Sequence, residues 1–209
     1  MYRFAVNGVV GIVFGAGHST RLGRPKQSLP FGDRTLLEHV VCDAEASVLD
    51  RVVVVVPTRL RPPTVRRAEV VETVAATEGC AGSLQAGLAR AGECAAVMLL
   101  LGDMPGVGPD LIDDLVARWW AAPSWAAATR YVDGIGHPLM FSADAFARLR
   151  RLHGDKAVWK IVDQESPARL VRFAVERARP RDVDTWDDYV AVCADFGVSP
   201  AGAEAPGRG

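Results

Sequence analysis

The run Gly8-Val9-Val10-Gly11-Ile12-Val13 is apolar, rich in β-branched side chains and bounded by glycine, which is the pattern of a short buried strand. It feeds directly into Phe14-Gly15-Ala16-Gly17-His18-Ser19-Thr20-Arg21-Leu22-Gly23-Arg24-Pro25-Lys26-Gln27. A strand that runs straight into a glycine loop constrains the chain strongly. Glycine lets the backbone approach an anion closely and aim successive N–H groups into one concavity. Ser19 adds a hydroxyl, and Arg21 and Lys26 add two cations that suit phosphate oxygens. By composition the loop is a cradle for a triphosphate.

Two familiar phosphate loops are excluded. The first glycine and the lysine are too far apart for a Walker loop, and no Gly-Lys-Ser/Thr follows. A dinucleotide fingerprint needs a helix to begin at once, with few cations inside the loop, whereas here Pro25 blocks an early helix. The competing reading is a glycine turn with solvated basic residues.

The following segments alternate between helix and strand patterns. Thr35 and Glu38 form a capping box ahead of Leu36, Leu37, Val40 and Val41, which recur at helical spacing. Arg51 to Val56 contains an unbroken valine run, typical of a strand covered on both faces, and Pro57, Pro62 and Pro63 end it. A weaker strand is expected over about Glu69 to Val74, a strong one from Ala95 to Leu101, and later strands at Ala126 to Tyr131, Gly136 to Phe141 and Ala168 to Val175. Leu111 to Trp120 reads as an amphipathic helix with Leu111, Ile112, Leu115 and Trp119 toward a core. Strand, loop, helix, strand is a βαβ unit with a right-handed crossover. The expected fold is a single-domain, three-layer α/β/α arrangement around a mostly parallel, Rossmann-like sheet spanning residues 1–197. Residues 198–209, dominated by Pro, Gly and Ala, are expected to form a disordered tail.

Composition narrows the partners. Charged residues make up 23% of the 209 and the formal net charge is −1, so the basic face that nucleic-acid binding needs is not expected. Cys42, Cys80, Cys94 and Cys193 show no Cys-x-x-Cys spacing and read as small residues in a reducing compartment. With neither a signal-peptide pattern nor a run long enough to span a bilayer, a cytoplasmic location is expected.

Three later segments carry candidate chemistry. Glu78 to Leu88 places glycine and serine ahead of a helical run, a second helix N-terminus facing the strand ends, with an ordinary serine cap as the alternative. Leu101-Gly102-Asp103-Met104-Pro105 puts a carboxylate at the end of a central strand, where open α/β sheets bind ligands, and Asp103 is the best metal candidate. The alternative, a cap for the helix near Pro109, suits Asp110 better. Asp182-Val183-Asp184-Thr185 ends a late strand, and Thr185 with Asp188 reads as a further capping box. Asp184 is the expected partner of Asp103 at a metal, with Asp182 as the alternative.

The run from Gly15 to His39, above all Gly23-Arg24-Pro25-Lys26-Gln27 and Thr35-Leu36-Leu37-Glu38-His39, resembles the signature loop of the MobA-like nucleotidyltransferases. Within them it is most similar to the MocA branch, the molybdenum cofactor cytidylyltransferases. It departs from them at Phe14-Gly15, where two alanines are usual, and at Trp186, where proline is usual. The resemblance implies nucleotidyl transfer: a phosphorylated acceptor attacks the α-phosphorus of an NTP, CTP by preference, and pyrophosphate leaves. It implies Arg21 and Lys26 on the phosphates, and Gly15, Ala16, Gly17, Ser19, Ser83 and Gly102 around the nucleotide. It further implies Mg²⁺ on Asp103 and Asp184, and His137, Asp155 and Lys156 on the acceptor side, the last two in a Gly-Asp-Lys turn; a histidine that merely packs and a solvated turn are the alternatives. Molybdopterin is the implied acceptor, with a molybdoenzyme as a possible partner. A non-catalytic nucleotide- or cofactor-delivery protein, and a guanylyl or sugar-phosphate transferase of the same superfamily, are the alternatives. A nicotinamide oxidoreductase is disfavoured, because no acidic ribose partner follows the loop at the required spacing.

Overall fold

The computed structural model describes residues 8–15, 22–74, 80–154, 157–166 and 168–200. In chain order the elements are β1 (Val9–Phe14), a 3-10 turn (Lys26–Ser28), β2 (Pro30–Phe31), β3 (Arg34–Thr35), α1 (Leu36–Ala46), β4 (Arg51–Pro57), β5 (Glu69–Thr73), α2 (Cys80–Ala91), β6 (Ala96–Leu101) and α3 (Pro109–Ala121). There follow β7 (Ala126–Tyr131), β8 (Gly134–Ser142), α4 (Phe146–Leu149), α5 (Ala157–Gln164), β9 (Leu170–Ala174) and α6 (Trp186–Asp195).

Seven strands form one sheet in the order β5-β4-β1-β6-β8-β7-β9. β6 lies at its centre with β1 beside it; β1 is parallel to both β4 and β6, and β5 continues the parallel set beyond β4. β8 runs antiparallel to β6 and to β7, while β9 is parallel to β7. Only β8 is therefore reversed, and the expected mostly parallel α/β/α architecture is what the chain adopts. The glycine loop after β1 and the Gly102-Asp103 turn after β6 leave the same edge of adjacent strands.

The valine run shows why the sheet has two covered faces. Val52, Val54 and Val56 of β4 point into the cluster shared with α1 and α3, and Val53 and Val55 into the one shared with α2, α4 and α5. All five are buried, and each removes apolar surface worth roughly 1.5–3 kcal/mol. The α1 capping box forms as expected: the Thr35 side chain accepts from the Glu38 N–H, and the Glu38 carboxylate accepts from the Thr35 N–H. Glu38 also accepts from the Thr64 N–H, and Glu45 accepts from three successive N–H groups, Arg66 to Ala68. These two carboxylates bind the β4–β5 connection to α1.

A third apolar cluster lies apart from the sheet faces. Leu29, Phe31 and Leu36 from around the β2–β3 hairpin pack against Val183 and against Tyr189, Val192 and Cys193 of α6. The Tyr189 hydroxyl donates to the Pro30 carbonyl across 2.5 Å. This cluster draws the end of the chain back to its beginning. Val198 also packs on it, and its N–H donates to the Cys193 carbonyl. Residues 201–209 lie outside those described.

α3 differs in one detail from expectation. Its N-cap is Gly108 and Pro109 occupies the first turn, so Asp110 sits inside that turn rather than capping it. Of the adjacent tryptophans on this helix, Trp119 is buried and Trp120 is 45% exposed. Among the described residues no helix is long and apolar enough to cross a membrane, and no disulfide joins Cys42, Cys80, Cys94 or Cys193.

Candidate active site

Pro25 ends the glycine loop in extended conformation, and the 3-10 turn after it points Lys26 inward. Lys26 is only 6% exposed. Its ammonium forms ion pairs with the Asp103 carboxylate and, at 2.6 Å, with Asp184 Oδ1. Each carboxylate reaches this point for an identifiable local reason. Asp103 leaves β6 just after Gly102, whose N–H donates to the Phe14 carbonyl and so fastens the turn to the end of β1. The Val183 N–H donates to the Asp103 carbonyl, and the Val183 side chain is fully buried in the third cluster. Asp184 then precedes the α6 capping box, in which Thr185 accepts from the Asp188 N–H and Asp188 accepts from the Thr185 N–H.

The electrostatics of the trio are unequal. The Asp103 side chain is 15% exposed and that of Asp184 is 49% exposed. Burial raises the Asp103 carboxyl above its ordinary range, and the charge of Asp182 adds to this, so the attraction of Lys26 compensates only in part. For Lys26, burial by itself would lower the ammonium, but Asp103 and Asp184 outweigh it and hold it above its ordinary value. The lysine is thus cationic at neutral pH. Two carboxylates face one ammonium, and the deeper of them is undercompensated.

That arrangement fits a divalent cation. Asp103 and Asp184 are hard oxygen donors that already converge on one positive charge. Among the described residues no group of three or more His, Cys, Asp or Glu is placed to hold a metal. The protein side therefore offers the one or two carboxylates that Mg²⁺ takes beside water and substrate phosphates, rather than a complete cage. Of the two candidates near the chain end, Asp184 reaches Lys26, whereas Asp182 lines the neighbouring cavity.

That cavity, about 470 Å³, opens between the end of β6, the β7–β8 hairpin, α5 and residues 178–182. Tyr131, His137 and Trp159 supply its aromatic wall, and Arg179 and Arg181 its cationic rim. His137 lines it but is 6% exposed, and its ring meets Trp159 edge-on at 5.3 Å. Burial pushes the imidazole down to about 4, so it is neutral at physiological pH. His137 can offer a phosphate a hydrogen bond but not a charge. Arg179 and Arg181 bring positive charge beside the Asp182 to Asp184 segment, Arg179 paired with Asp133 of the same cavity at 3.4 Å and Arg181 with Asp188 at 3.9 Å; their signal in the sequence is the alternation of Arg177, Arg179 and Arg181.

The glycines and serine are placed as follows. The Gly15 N–H donates to the Val55 carbonyl at 2.8 Å, so it is committed to the sheet and is not among the phosphate donors of the loop. A Cβ on Gly15 would lie 3.0 Å from both Leu37 and Val56. A Cβ on Gly102 would come within 2.6 Å of Leu37 Cδ1 and 2.9 Å of the Phe14 carbonyl oxygen. Both glycines therefore serve close packing of the strand ends against α1. α2 begins at Cys80, which puts Ser83 a turn inside the helix and buried rather than at its cap. Ala16, Gly17, Ser19, Arg21, Asp155 and Lys156 lie outside the described residues.

Comparison with known proteins places this geometry. The MobA-like NTP transferase domain matches residues 11–172. The crystal structure of Rv0371c from Mycobacterium tuberculosis H37Rv is 36% identical, covers 91% of this chain and 100% of its own, and superposes with a TM-score of 0.81. A manganese complex of Rv0371c superposes at 0.77 with 35% identity, covering 90% of this chain and 98% of that one. A probable molybdenum cofactor guanylyltransferase from Mycobacterium avium (strain 104) is 30% identical over 171 residues, 78% of this chain and 85% of that protein. The purine catabolism protein PucB of Bacillus subtilis (strain 168) is 26% identical over 195 residues, 87% of this chain and 94% of that protein. With its central parallel sheet, its glycine loop and Lys26 between two carboxylates, the chain belongs to the MobA-like NTP transferase family and is a nucleotidyltransferase.

Proposed function

We propose that the chain transfers a cytidylyl group from CTP to a phosphorylated acceptor, molybdopterin by preference, with release of pyrophosphate. The observation that carries the reading is the Lys26 ammonium held between Asp103 and Asp184 beyond the ends of β1 and β6. Transfer of this kind depends on positioning and on charge neutralisation, and needs no side-chain nucleophile. Lys26 and Arg21 act on the triphosphate, where a fixed cation stabilises charge that grows as pyrophosphate departs. Asp103 and Asp184 would hold Mg²⁺, which when bound supplies Lewis-acid charge beside the phosphates.

The acceptor is assigned to the cavity beside Asp182. Its aromatic wall of Trp159 and Tyr131 suits a planar ring system, and Arg179 and Arg181 suit the acceptor phosphate. His137 contributes a neutral hydrogen bond within the same wall. Asp155 and Lys156 are retained on the acceptor side.

A second reading differs in the base. The relative from Mycobacterium avium bears the name of a guanylyltransferase, which favours GTP, whereas the Gly23 to Gln27 run favours CTP by its likeness to the MocA branch. The deciding experiment is magnesium-dependent pyrophosphate release with CTP and with GTP separately, each with and without molybdenum-loaded molybdopterin. Release only with CTP and that acceptor supports the cytidylyl reading, and release with GTP the guanylyl one. Saturable nucleotide binding without pyrophosphate would instead make the chain a delivery protein. The expected setting is the cytoplasm, where a molybdoenzyme would receive the product.

A further inference from the structure

We propose that the chain carries a second small-molecule site, on the outer side of α1, for an amphoteric ligand with an ammonium at one end and a carboxylate or phosphate at the other. A cavity of about 350 Å³ opens there between α1, the β2–β3 turn and the β4–β5 connection. It shares no lining residue with the cavity beside Asp182, and none of Lys26, Asp103 and Asp184 lines it. The site therefore goes beyond the transfer reading and does not depend on it.

The charges of this cavity are layered. Its floor is one stripe of α1, along which Glu38, Cys42 and Glu45 follow at helical spacing. Burial would raise both carboxyls, but the N–H groups of Thr64 and Thr35 at Glu38, and those of Arg67, Ala68 and Arg66 at Glu45, outweigh it and hold both below their ordinary range. Glu45 is only 9% exposed. Its Oε1 accepts all three of those N–H groups, whereas its Oε2 has no hydrogen-bond partner among the described residues. Among those residues Ser142 Oγ is the one unpartnered side-chain polar atom sealed from solvent, so Glu45 Oε2 opens toward the cavity that Glu45 lines. An anionic oxygen is thus held in a largely buried position with room for a donor.

The rim has the opposite sign. Arg66 is exposed, its charge is felt at Glu45, and its guanidinium makes no hydrogen bond or ion pair among the described residues. Arg34 reaches only Asp33, at 3.6 Å, in an exposed pair of the kind that contributes little. A simple anion would be repelled by the floor and a simple cation by the rim. A ligand that enters ammonium first gives Glu45 Oε2 its donor and leaves its anionic end between two guanidiniums. The cavity lies within the size range of small-ligand sites. Its floor helix also carries Leu37, which fills the space beside Gly15 and Gly102, so the ligand binds to the helix on which both strand ends rest.

Isothermal titration calorimetry on the full chain tests this with glycine, β-alanine, γ-aminobutanoate and phosphoethanolamine as probes, and n-butylamine and butanoate as singly charged controls. At least one amphoteric probe should saturate at one equivalent per chain, and neither control should bind comparably. The carboxylate and phosphate probes identify the anionic end. Arg66→Gln removes a rim cation, and Glu45→Gln replaces the free anionic oxygen with an amide while keeping an acceptor for the three N–H groups. Each should weaken binding roughly tenfold or more, the worth of one charge-assisted hydrogen bond. Absence of binding by every amphoteric probe, equal binding by a control, or unchanged affinity in both variants overturns the proposal. Should Glu45→Gln fail to fold, Arg66→Gln, at an exposed position, decides alone. Pyrophosphate release, measured separately, reports on the transfer reading, and its failure would leave this site standing.

Discussion

Asp43 offers a test of the scaffold that can be worked through in numbers. It lies on α1 one turn from His39, whose ring sits edge-on to both Phe31 and Phe196 where α6 meets the β2–β3 hairpin. The Asp43 side chain is 22% exposed. Burial raises its carboxyl from 3.8 to about 6, with Arg34 pulling weakly the other way. The neighbouring His39 is pushed below its ordinary value by burial and by Arg34, so it offers little countercharge. Between these two pH values the folded chain keeps a proton that the unfolded chain has released, so stability falls as pH rises through the window and the cost is complete above it. At about 1.4 kcal/mol per tenfold change in proton affinity, lifting this carboxyl from 3.8 to about 6 costs at most about 3 kcal/mol at neutral pH. Asp43→Asn keeps the shape and removes the charge. Its amide still needs a partner, so the expected gain is about 1–2 kcal/mol at pH 7.5, a rise in Tm of roughly 3–6 °C. At pH 4 or below, where the wild-type carboxyl is protonated, variant and wild type should melt together. Thermal or urea unfolding at both pH values measures this, and an equal difference at the two, or a loss at pH 7.5, would refute the burial argument.

Lys26→Ala should lower pyrophosphate release by roughly two to three powers of ten with the far-ultraviolet circular dichroism unchanged, as expected for loss of one transition-state charge contact; near-normal turnover would remove Lys26 from the site. Gly102→Ala forces a methyl against Leu37 and the Phe14 carbonyl, and urea unfolding should show a loss of about 1–3 kcal/mol. If Gly102 served only the nucleotide, turnover would fall with stability intact. Tyr189→Phe leaves the Pro30 carbonyl without its hydroxyl donor and should cost about 1–2 kcal/mol by urea unfolding.

What could be read in the sequence followed the range of the forces involved. The strands are uniform apolar runs, so Val52 to Val56 and Ala96 to Leu101 announce themselves without tertiary information. Both capping boxes are closed by residues three positions apart, and both form as expected. Lys26 and Asp103 could be nominated because strand ends collect ligand-binding residues in open α/β sheets. Gly15 and Gly102 could not be interpreted, because a glycine needed to make room for Leu37 has the same letter as one needed to approach a phosphate. The fate of His137 was equally hidden, since its charge depends on burial of this β8 residue against Trp159 of α5.

The choice between Asp182 and Asp184 shows what the sequence lacked. Alternation along an extended strand brings both to one side, and nothing local separates them. In the folded chain the decision falls to the apolar residue between them and to the helix that follows. Val183 is fastened by its N–H to the Asp103 carbonyl and by its side chain to Leu29, Leu36 and Tyr189. Thr185 then fixes the start of α6, so Asp184 is delivered at the cap, opposite Lys26, while Asp182 is left one step back along the cavity wall. Lys26 and Asp184 are separated by 158 positions in the chain, and their meeting depends on a small apolar cluster that belongs to neither face of the sheet. The Lys26–Asp184 pairing is therefore a packing result first and an electrostatic one second: the hydrophobic packing of Val183 and Tyr189 selects which carboxylate the lysine finds.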